Sequence, residues 1–203
     1  MRQTLISTLM VIPLLLGAGT LASCSAPAVV GGAATSVALA AAQERSLGTI
    51  IDDTTIRIQI NHLLLQASEK LFLAVDLEVV EGRVLLHGTV SAPDDRVEAT
   101  RLAWQAQGVK EVLNELQVTD RGGVIDYAKD TWIGAQLRAK LLGDGNVADI
   151  NFNVVVVNST VYIMGVARSQ TELERVTNHA RTIRGVEKVV SYVRVKSDPK
   201  LSS

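Results

Sequence analysis

Apolar and polar residues follow two different rhythms along the chain, and each rhythm predicts a type of element. Apolar residues recur at helical spacing over residues 56–64, which predicts a helix with one buried face. Over residues 75–79 they alternate with polar residues, as in a strand that buries one face. The Glu-Gly pair at 81–82 then predicts a tight turn, with a return strand over residues 84–90.

A second helix and a third strand complete this unit. Pro93 and the two acids after it predict the start of the helix, because proline suits the first helical position and acids favour the positive end of the helix dipole. Gly108 is expected to end this helix, and a last strand is expected over about residues 109–118. Asp53 is expected to cap the first helix. The predicted order is α-β-β-α-β.

The whole unit occurs twice. With a shift of 77 residues, residues 53–119 align with 130–196 without a gap and share 16 identities in 67 positions. In the second copy Asp130 takes the capping position, and Gly185 takes the position that ends the second helix. A side chain at Gly165, in the second strand, is expected to press on a covering helix. The prediction is an α+β fold of two tandem α-β-β-α-β domains, each with its helices packed on one face of a small three-stranded sheet.

The first residues carry an export signal. Arg2 supplies a positive start, residues 5–16 are largely apolar, and small residues lead to Leu-Ala-Ser-Cys, which ends at Cys24. Cys24 is the only cysteine of the chain, and a lone thiol in an exported protein is a hazard unless it is modified. The ending resembles the lipobox of bacterial lipoproteins, which implies that Cys24 is the site of lipid attachment. An ordinary cleaved signal with a chance cysteine is the alternative.

These features divide the chain into an exported anchor and two domains. The predicted parts are a signal peptide (1–23), the lipidated cysteine with a flexible tether (24–48), the first domain (49–119), a linker (120–127), the second domain (128–196) and a C-terminal tail (197–203). A short helix over 37–43 is an alternative within the tether. Residue 25 is Ser, which by resemblance to lipoprotein sorting implies attachment to the outer membrane, facing the periplasm.

Composition and spacing give no indication of catalysis. The formal net charge of −1 does not favour a nucleic-acid partner. His62, His87 and His179 are widely separated, and none recurs at the matching position of the other copy, so no metal site is expected. The acids near the helix starts suit the helix dipole. The sequence therefore predicts no catalytic residues, no metal and no cofactor, and a protein that is not an enzyme.

The repeated unit resembles the BON domain. The resemblance rests on the α-β-β-α-β order, on a glycine that ends the second strand, and on a Gly-Val pair that opens the third, as at Gly185. Together with the lipobox and the Thr-Trp-Ile at residues 131–133, it extends to the dual-BON outer-membrane lipoproteins. It implies binding of anionic phospholipid through the second domain and a role in envelope integrity. A periplasmic adaptor that docks a cell-wall or outer-membrane assembly partner is the alternative.

The second copy carries residues that suit a lipid surface. Residues 53–119 have a net charge of −4, whereas residues 130–196 have +3. Trp132 lies about 100° from the apolar stripe of the predicted helix, where an indole would sit at head-group depth. The predicted phospholipid-binding residues are Trp132, Lys129, Gln136, Arg138 and Lys140. Packing of Trp132 on the neighbouring domain is the alternative, and Trp104 is expected to pack locally or between the domains.

Overall fold

The computed structural model describes residues 46–119 and 124–196, and each stretch folds into one α+β domain. The first domain contains helices α1 (Leu47–Ala67), α2 (Glu69–Ala74) and α3 (Pro93–Ala103), and strands β1 (Val75–Val80), β2 (Arg83–Val90), β3 (Glu111–Asn114) and β4 (Gln117–Val118). The second contains α4 (Val124–Gly143), α5 (Gln170–Arg181), β5 (Phe152–Val157), β6 (Thr160–Ala167) and β7 (Lys188–Val195), with a 3-10 turn over Asp149–Asn151. The predicted α+β fold of two tandem units is confirmed, with the short helix α2 added.

The two sheets have the same topology. In the first, β1 runs antiparallel to β2, and β2 runs parallel to β3 and β4, which occupy the place of one interrupted third strand. In the second, β5 runs antiparallel to β6, and β6 runs parallel to β7. The hairpin strand β2 or β6 is therefore central in each sheet, and β1 and β5 are edge strands.

Each domain has its own aliphatic core between its helices and one face of its sheet. Ile56, Ile60 and Leu64 of α1 are buried there, in the phase that the sequence predicts. In the second domain the corresponding stripe of α4 is likewise buried and comprises Ile133, Leu137 and Leu141. Burying one such side chain stabilises a fold by roughly 1.5–3 kcal/mol, so these stripes fix which face of each helix points inward.

Asp53 does not cap a helix, and the expectation that it does is wrong. Helix α1 begins at Leu47, six residues earlier, so Asp53 lies within the helix. Its carboxylate instead accepts hydrogen bonds from the backbone N–H groups of Glu81 and Gly82, each at 2.8 Å, in the turn between β1 and β2. The correction applies equally to Asp130, which lies within α4 and binds the turn between β5 and β6.

Gly165 is constrained by the backbone that leads into the first strand of the sheet and not by the side chain of a covering helix, so that expectation is wrong too. An ideal Cβ at Gly165 would lie 2.0 Å from the backbone oxygen of Asn151, just before β5. At the matching Gly88 it would lie 2.4 Å from the backbone oxygen of Ala74, just before β1. The glycine therefore lets the first strand of each sheet approach the central strand closely.

The second helix of each domain ends earlier than predicted. Helix α3 ends at Ala103 and α5 ends at Arg181, so Gly108 and Gly185 are not the residues that end them. Both glycines have a φ of 93° and lie in the turn that leads into the third strand. Glycine suggested a helix end because it readily adopts the left-handed conformation, but here that conformation belongs to this later turn.

The two domains pack against each other through the sheet faces that their helices leave open. Val80 and Leu85 of the first domain form one buried cluster with Tyr162, Met164 and Val166 of the second. Side chains on a strand alternate between its faces, so this cluster lies on the side of each sheet opposite its helices. We call it the intersheet cluster.

Polar contacts frame the intersheet cluster. The Nδ2 group of Asn153 donates to Oε2 of Glu78 at 2.8 Å, and Nη1 of Arg83 donates to the backbone oxygen of Tyr192 at 2.7 Å. The hydroxyl of Tyr192 donates to Oε1 of Glu115. Acids of the first domain thus accept hydrogen bonds from neutral side chains of the second. An ion pair joins the oppositely charged copies, because Nη2 of Arg194 lies 3.5 Å from Oε2 of Glu111.

Candidate functional site

Helix α4 presents a broad apolar surface to solvent. Tyr127 is 75% exposed, Trp132 is 49% exposed and Leu142 is 68% exposed. Because the domains meet through the opposite face of the second sheet, α4 lies on the outside of the two-domain body. Exposed aromatic and large aliphatic side chains on one helix are typical of a surface that meets another apolar phase.

Over residues 127–143, where the exposure of the side chains is described, this surface carries no exposed acid. The exposed residues between positions 127 and 143 are Tyr127, Ala128, Lys129, Thr131, Trp132, Ala135, Arg138, Ala139, Leu142 and Gly143. Two of them are charged, and both are basic. The acid within this stretch, Asp130, is turned towards the hairpin, where it accepts hydrogen bonds from two backbone N–H groups. Over residues 127–143 the exposed face of α4 is therefore apolar with a positive margin.

The acid that follows α4 is also engaged. Nε2 of His179 lies 2.8 Å from Oδ2 of Asp144, and Nε of Arg175 lies 3.6 Å from the same oxygen. The hydrogen bond with His179, followed by that from the backbone N–H of Asn146, lowers the pKa of Asp144 to about 2. Its negative charge thus faces α5 and the loop after α4, away from the exposed apolar residues of α4.

Two lysines that the sequence predicts to bind phospholipid lie beside Trp132, both on the same side of α4. Nζ of Lys129 lies 3.4 Å from Oε1 of Glu187, and Nζ of Lys140 lies 3.1 Å from Oγ1 of Thr182. Lys129 is exposed and Lys140 is partly buried. At 100° per residue both lie within 90° of Trp132, towards the elements that follow β6. Both contacts are exposed to water, where such pairs contribute little, so the ammonium groups remain available to a surface.

Gln136 and Arg138 lie on different sides of the helix. Gln136 is partly buried and lies one turn after Trp132, on the same side. Arg138 is exposed on the other side, where its Nη2 donates to the backbone oxygen of Val154 on edge strand β5 at 3.3 Å. The structure thus brings Trp132, Gln136 and the two lysines together, and places Arg138 across the exposed face from the lysines.

A groove separates α4 from edge strand β5. Its volume is about 390 Å³, and its apolar lining includes Tyr127, Ala135, Val154 and Val156. Gly134 lies in this lining and has no side chain to fill the groove. The matching residue of the first domain is Arg57, which has a long side chain. Arg57 extends across the edge of β1, where it donates to the Leu77 backbone oxygen and to Glu78.

Sequence reasoning missed two of the most exposed apolar residues. Tyr127 fell in the predicted linker 120–127, whereas α4 already begins at Val124. Leu142 follows Leu141 of the core stripe, and adjacent helical residues are 100° apart, so both cannot be buried alike. The signal for Leu142 was therefore the helical phase itself.

Exposure alone does not distinguish the two tryptophans. Trp104, just after α3, is 52% exposed, so the expected packing covers only about half of this residue. Trp104 lies in the domain with net charge −4 and Trp132 in the domain with +3. Their electrostatic surroundings, and not their burial, separate them.

Two further observations bear on chemistry. Within residues 46–119 and 124–196, no three His, Cys, Asp or Glu side chains converge as a metal site would require. Among the helices of the same residues, none combines the length and the apolar character needed to cross a membrane. Cys24 lies outside the described residues.

Comparison with known proteins identifies the repeated unit. The BON domain family matches residues 52–120 and 129–197, one match for each copy. A protein of Anaplasma centrale from the gshII 5′ region is 42% identical over 147 residues, which are 72% of this chain and 96% of that protein.

Two other relatives cover similar or larger parts of the chain. Outer membrane lipoprotein DolP of Haemophilus influenzae is 34% identical over 186 residues, which are 91% of this chain and 95% of that protein. The 21 kDa hemolysin of Actinobacillus pleuropneumoniae is 29% identical over 150 residues, which are 73% of this chain and 77% of that protein. With both copies matched by the family and their duplicated fold seen in the structure, the chain belongs to the BON domain family.

Proposed function

We propose that this chain is a lipid-anchored outer-membrane protein that faces the periplasm and docks on anionic phospholipid through helix α4 of its second BON domain. The observation that carries the proposal is the difference between the copies at matched positions. Trp132, Lys129 and Arg138 stand where the first copy has Thr, Asp and Asn. All three differences place an aromatic or basic side chain on the exposed face of α4.

The chemistry of this face suits a bilayer surface. An indole is favoured at head-group depth, where its ring meets the acyl boundary and its N–H stays hydrated. Each basic side chain near an anionic leaflet contributes on the order of 1 kcal/mol. Trp132 with Lys129 and Arg138 therefore supplies an insertion group between two positive charges, and Tyr127 and Leu142 extend the apolar area.

Anchoring supports the same arrangement. The relative with 34% identity is named as an outer membrane lipoprotein, and Cys24 is the residue that the lipobox resemblance assigns to acylation. Acyl chains contribute about 0.8 kcal/mol per buried CH₂, so more than one chain holds a protein on a membrane. About 20 residues separate Cys24 from α1, and a random coil of that length spans roughly 25 Å, which is enough for α4 to reach the membrane that holds the anchor.

The proposed role is binding and not catalysis. No nucleophile, base and oxyanion-binding group converge on the exposed face of α4, which offers an indole, aliphatic side chains and basic groups. Such a surface attaches a protein to lipid and changes no covalent bond. We propose that this attachment supports the integrity of the envelope.

Vesicle flotation of a chain of residues 25–203 tests the proposal. This chain lacks the lipid-bearing cysteine, so its own surface must supply the binding. It is expected to float with vesicles of phosphatidylglycerol and phosphatidylcholine, and to remain unbound with phosphatidylcholine alone. Trp132→Thr, which installs the residue of the first copy, is expected to remove most of the binding. Equal binding by this variant would count against α4 as the lipid surface.

A protein-docking role is the second candidate, and one observation favours it. Ile58 and Leu65 are exposed on α1, seven residues apart and so on the same outward side. If the 25–203 chain ignores anionic vesicles, this acidic first domain becomes the leading surface for a protein partner in the envelope.

A further inference from the structure

The intersheet interface buries a histidine. His87 lies on β2, two residues after Leu85, so both side chains point towards the second domain. His87 is only 8% exposed, and its Nε2 atom is buried without a hydrogen-bond partner among the described residues. Buried polar atoms are nearly always hydrogen-bonded, so an unpartnered one indicates a site with a function or a cost.

The charged groups around His87 come mainly from its own domain. Asp76 is its cross-strand partner on β1, and Glu78 lies two residues further on the same face. Arg57 of α1 donates to Glu78 at 2.8 Å. Burial is the largest influence and lowers the pKa of His87 below its ordinary value of 6.5, although Asp76 and Glu78 act in the opposite direction. Arg57 lowers it further.

The elements packed on this face contribute groups that are already engaged or that titrate far from neutral pH. Glu115, after β3, accepts the hydroxyl hydrogen bond of Tyr192 from the second domain. Tyr162 of the second domain is buried in the intersheet cluster, and burial raises its pKa above 10. An imidazole is the side-chain type whose ordinary pKa lies between pH 5 and 8, and His87 supplies it on this face.

The second copy has an apolar residue at the same place. Met164 matches His87 in the repeat alignment and is fully buried in the intersheet cluster. A thioether has no proton to gain, so the contribution of the second copy at this position does not depend on pH. The duplicated fold therefore accepts an apolar side chain here, and the first copy has an imidazole in its place.

We propose that His87 makes the contact between the two BON domains sensitive to acid, so that protonation of the buried imidazole favours separation of the sheets. Val84 and Leu86 of the same strand point into the core of the first domain and keep their packing when the sheets separate. Opening the interface returns His87 to water without unfolding either domain. The surface that becomes exposed is the intersheet cluster, which is otherwise hidden.

The direction follows from linkage between proton binding and opening. The pKa of His87 is lowered in the closed form and returns towards 6.5 when the sheets separate. As pH falls through 6.5, the open form takes up the proton first, so the equilibrium moves towards opening. The shift is at most about tenfold per pH unit and stops once pH is below the lowered pKa. At pH 7.5 and above, the contribution of neutral His87 to closure is complete.

A single buried thiol measures this opening. The 25–203 chain has no cysteine, so Met164→Cys places one probe inside the intersheet cluster. Ile163→Cys is the matched control, because Ile163 is equally buried but points into the core of the second domain. Labelling by dithiodipyridine is measured at pH 7.5, 6.5, 5.5 and 5.0, and each rate is divided by that of the urea-denatured chain at the same pH. If Met164→Cys does not fold, Val166→Cys is the second probe.

The proposal expects protection of Cys at position 164 to fall several-fold from pH 7.5 to 5.0, while protection at position 163 stays constant. In a His87→Gln background, which keeps a polar side chain that does not titrate, the change at position 164 is expected to disappear. Protection at 164 that is independent of pH, or a change that persists with His87→Gln, would overturn the proposal. So would an equal loss at position 163, because that result means unfolding of the domain.

Discussion

The carboxylate Oδ1 of Asp130 lies 2.8 Å from the backbone nitrogen of Ser159 and accepts its hydrogen bond. Oδ2 of the same group accepts from the N–H of Asn158 at 2.6 Å. The φ angles of Asn158 and Ser159 are 46° and 64°, a left-handed turn that directs both N–H groups to one side, towards the helix. One carboxylate thus ties the first helix of the domain to the tip of its hairpin.

Asp130→Ser is expected to destabilise the second domain by about 1–3 kcal/mol, because the two turn amides bind two different carboxylate oxygens. Serine offers a single oxygen that is one bond closer to the helix backbone, so at least one amide loses its partner. The measurement is urea unfolding of the 25–203 chain. Serine is as good an N-cap as aspartate, so a helix-capping role would leave stability nearly unchanged. An unaltered unfolding midpoint would therefore argue for capping and against the clamp.

Gly165→Ala is expected to destabilise the second domain by roughly 1–3 kcal/mol, the range for overpacked sites. The added carbon would lie 2.0 Å from the Asn151 backbone oxygen, and a backbone atom cannot move aside as a side chain can. Gly145→Ala is the control, because nothing lies within 4 Å of a Cβ at that position. Thermal unfolding of both variants checks the expectation; similar melting curves would show that β5 shifts at little cost.

Periodicity predicted the elements that depend on one buried face. The stripe from Ile56 to Leu64 and the hairpin turn at Glu81 were found because helical and strand spacing leave direct marks on the sequence. The start of the second helix was predicted correctly at Pro93. The start of the first helix was not, because Asp53 was assigned to capping, whereas the observed cap of α1 is Ser46, which accepts from the N–H of Thr49. A polar residue that can serve two partners does not reveal which one it binds.

The contact between the domains was missed for a different reason. Strand β6 is buried at every residue from 161 to 167, and a strand buried on both faces shows a continuous apolar run in place of alternation. That run was present in the sequence and indicated a second covering layer. The apolar run does not identify the element that covers the second face of β6, because it shows only that this face is buried. The candidate lipid surface was predicted only in part. The exposure of Tyr127 depends on where α4 begins, and that of Leu142 depends on the helical phase of α4, and neither entered the prediction for these two residues.

Cys24→Ala is expected to release the protein from membranes, because Cys24 is the only residue of the chain that a lipobox could acylate. The measurement is partition of the expressed protein between the detergent and aqueous phases of Triton X-114. The unaltered chain is expected in the detergent phase, and the variant in the aqueous phase or unprocessed in the inner membrane. A mature variant that partitions like the parent chain would reject lipid attachment.

Arg138→Glu and Lys140→Glu are expected to weaken vesicle binding by different amounts. Arg138 is exposed at the apolar face. Lys140 is partly buried, and its Nζ donates a hydrogen bond to Oγ1 of Thr182 at 3.1 Å, so its charge lies further from that face. Charge reversal near an anionic surface costs on the order of 2 kcal/mol, and less for a group set back from it. Flotation of the 25–203 chain with phosphatidylglycerol vesicles ranks the two. A larger loss for Lys140→Glu would mean that the membrane meets the lysine side of α4.

Trp132→Glu is expected to reduce binding to anionic vesicles about tenfold or more, since it removes the interfacial ring and adds a charge of the same sign as the lipid. The fold is expected to survive, because Trp132 is half exposed and lies outside the buried stripe of α4. Circular dichroism and urea unfolding check the fold, and flotation checks the binding. Binding by the unaltered chain is also expected to weaken with salt, as the Debye length falls from about 10 Å at 0.1 M to about 3 Å at 1 M.

Trp104→Ala is the matched control for that variant, because Trp104 is exposed to nearly the same extent in the acidic domain. Its binding is expected to equal that of the unaltered chain. If the two tryptophan variants lose binding equally, exposed aromatic area and not the basic setting of α4 drives attachment, and both domains meet the membrane. If neither loses binding while both stay folded, the lipid surface is not α4, and the outward residues Ile58 and Leu65 of the first domain are the next to be substituted.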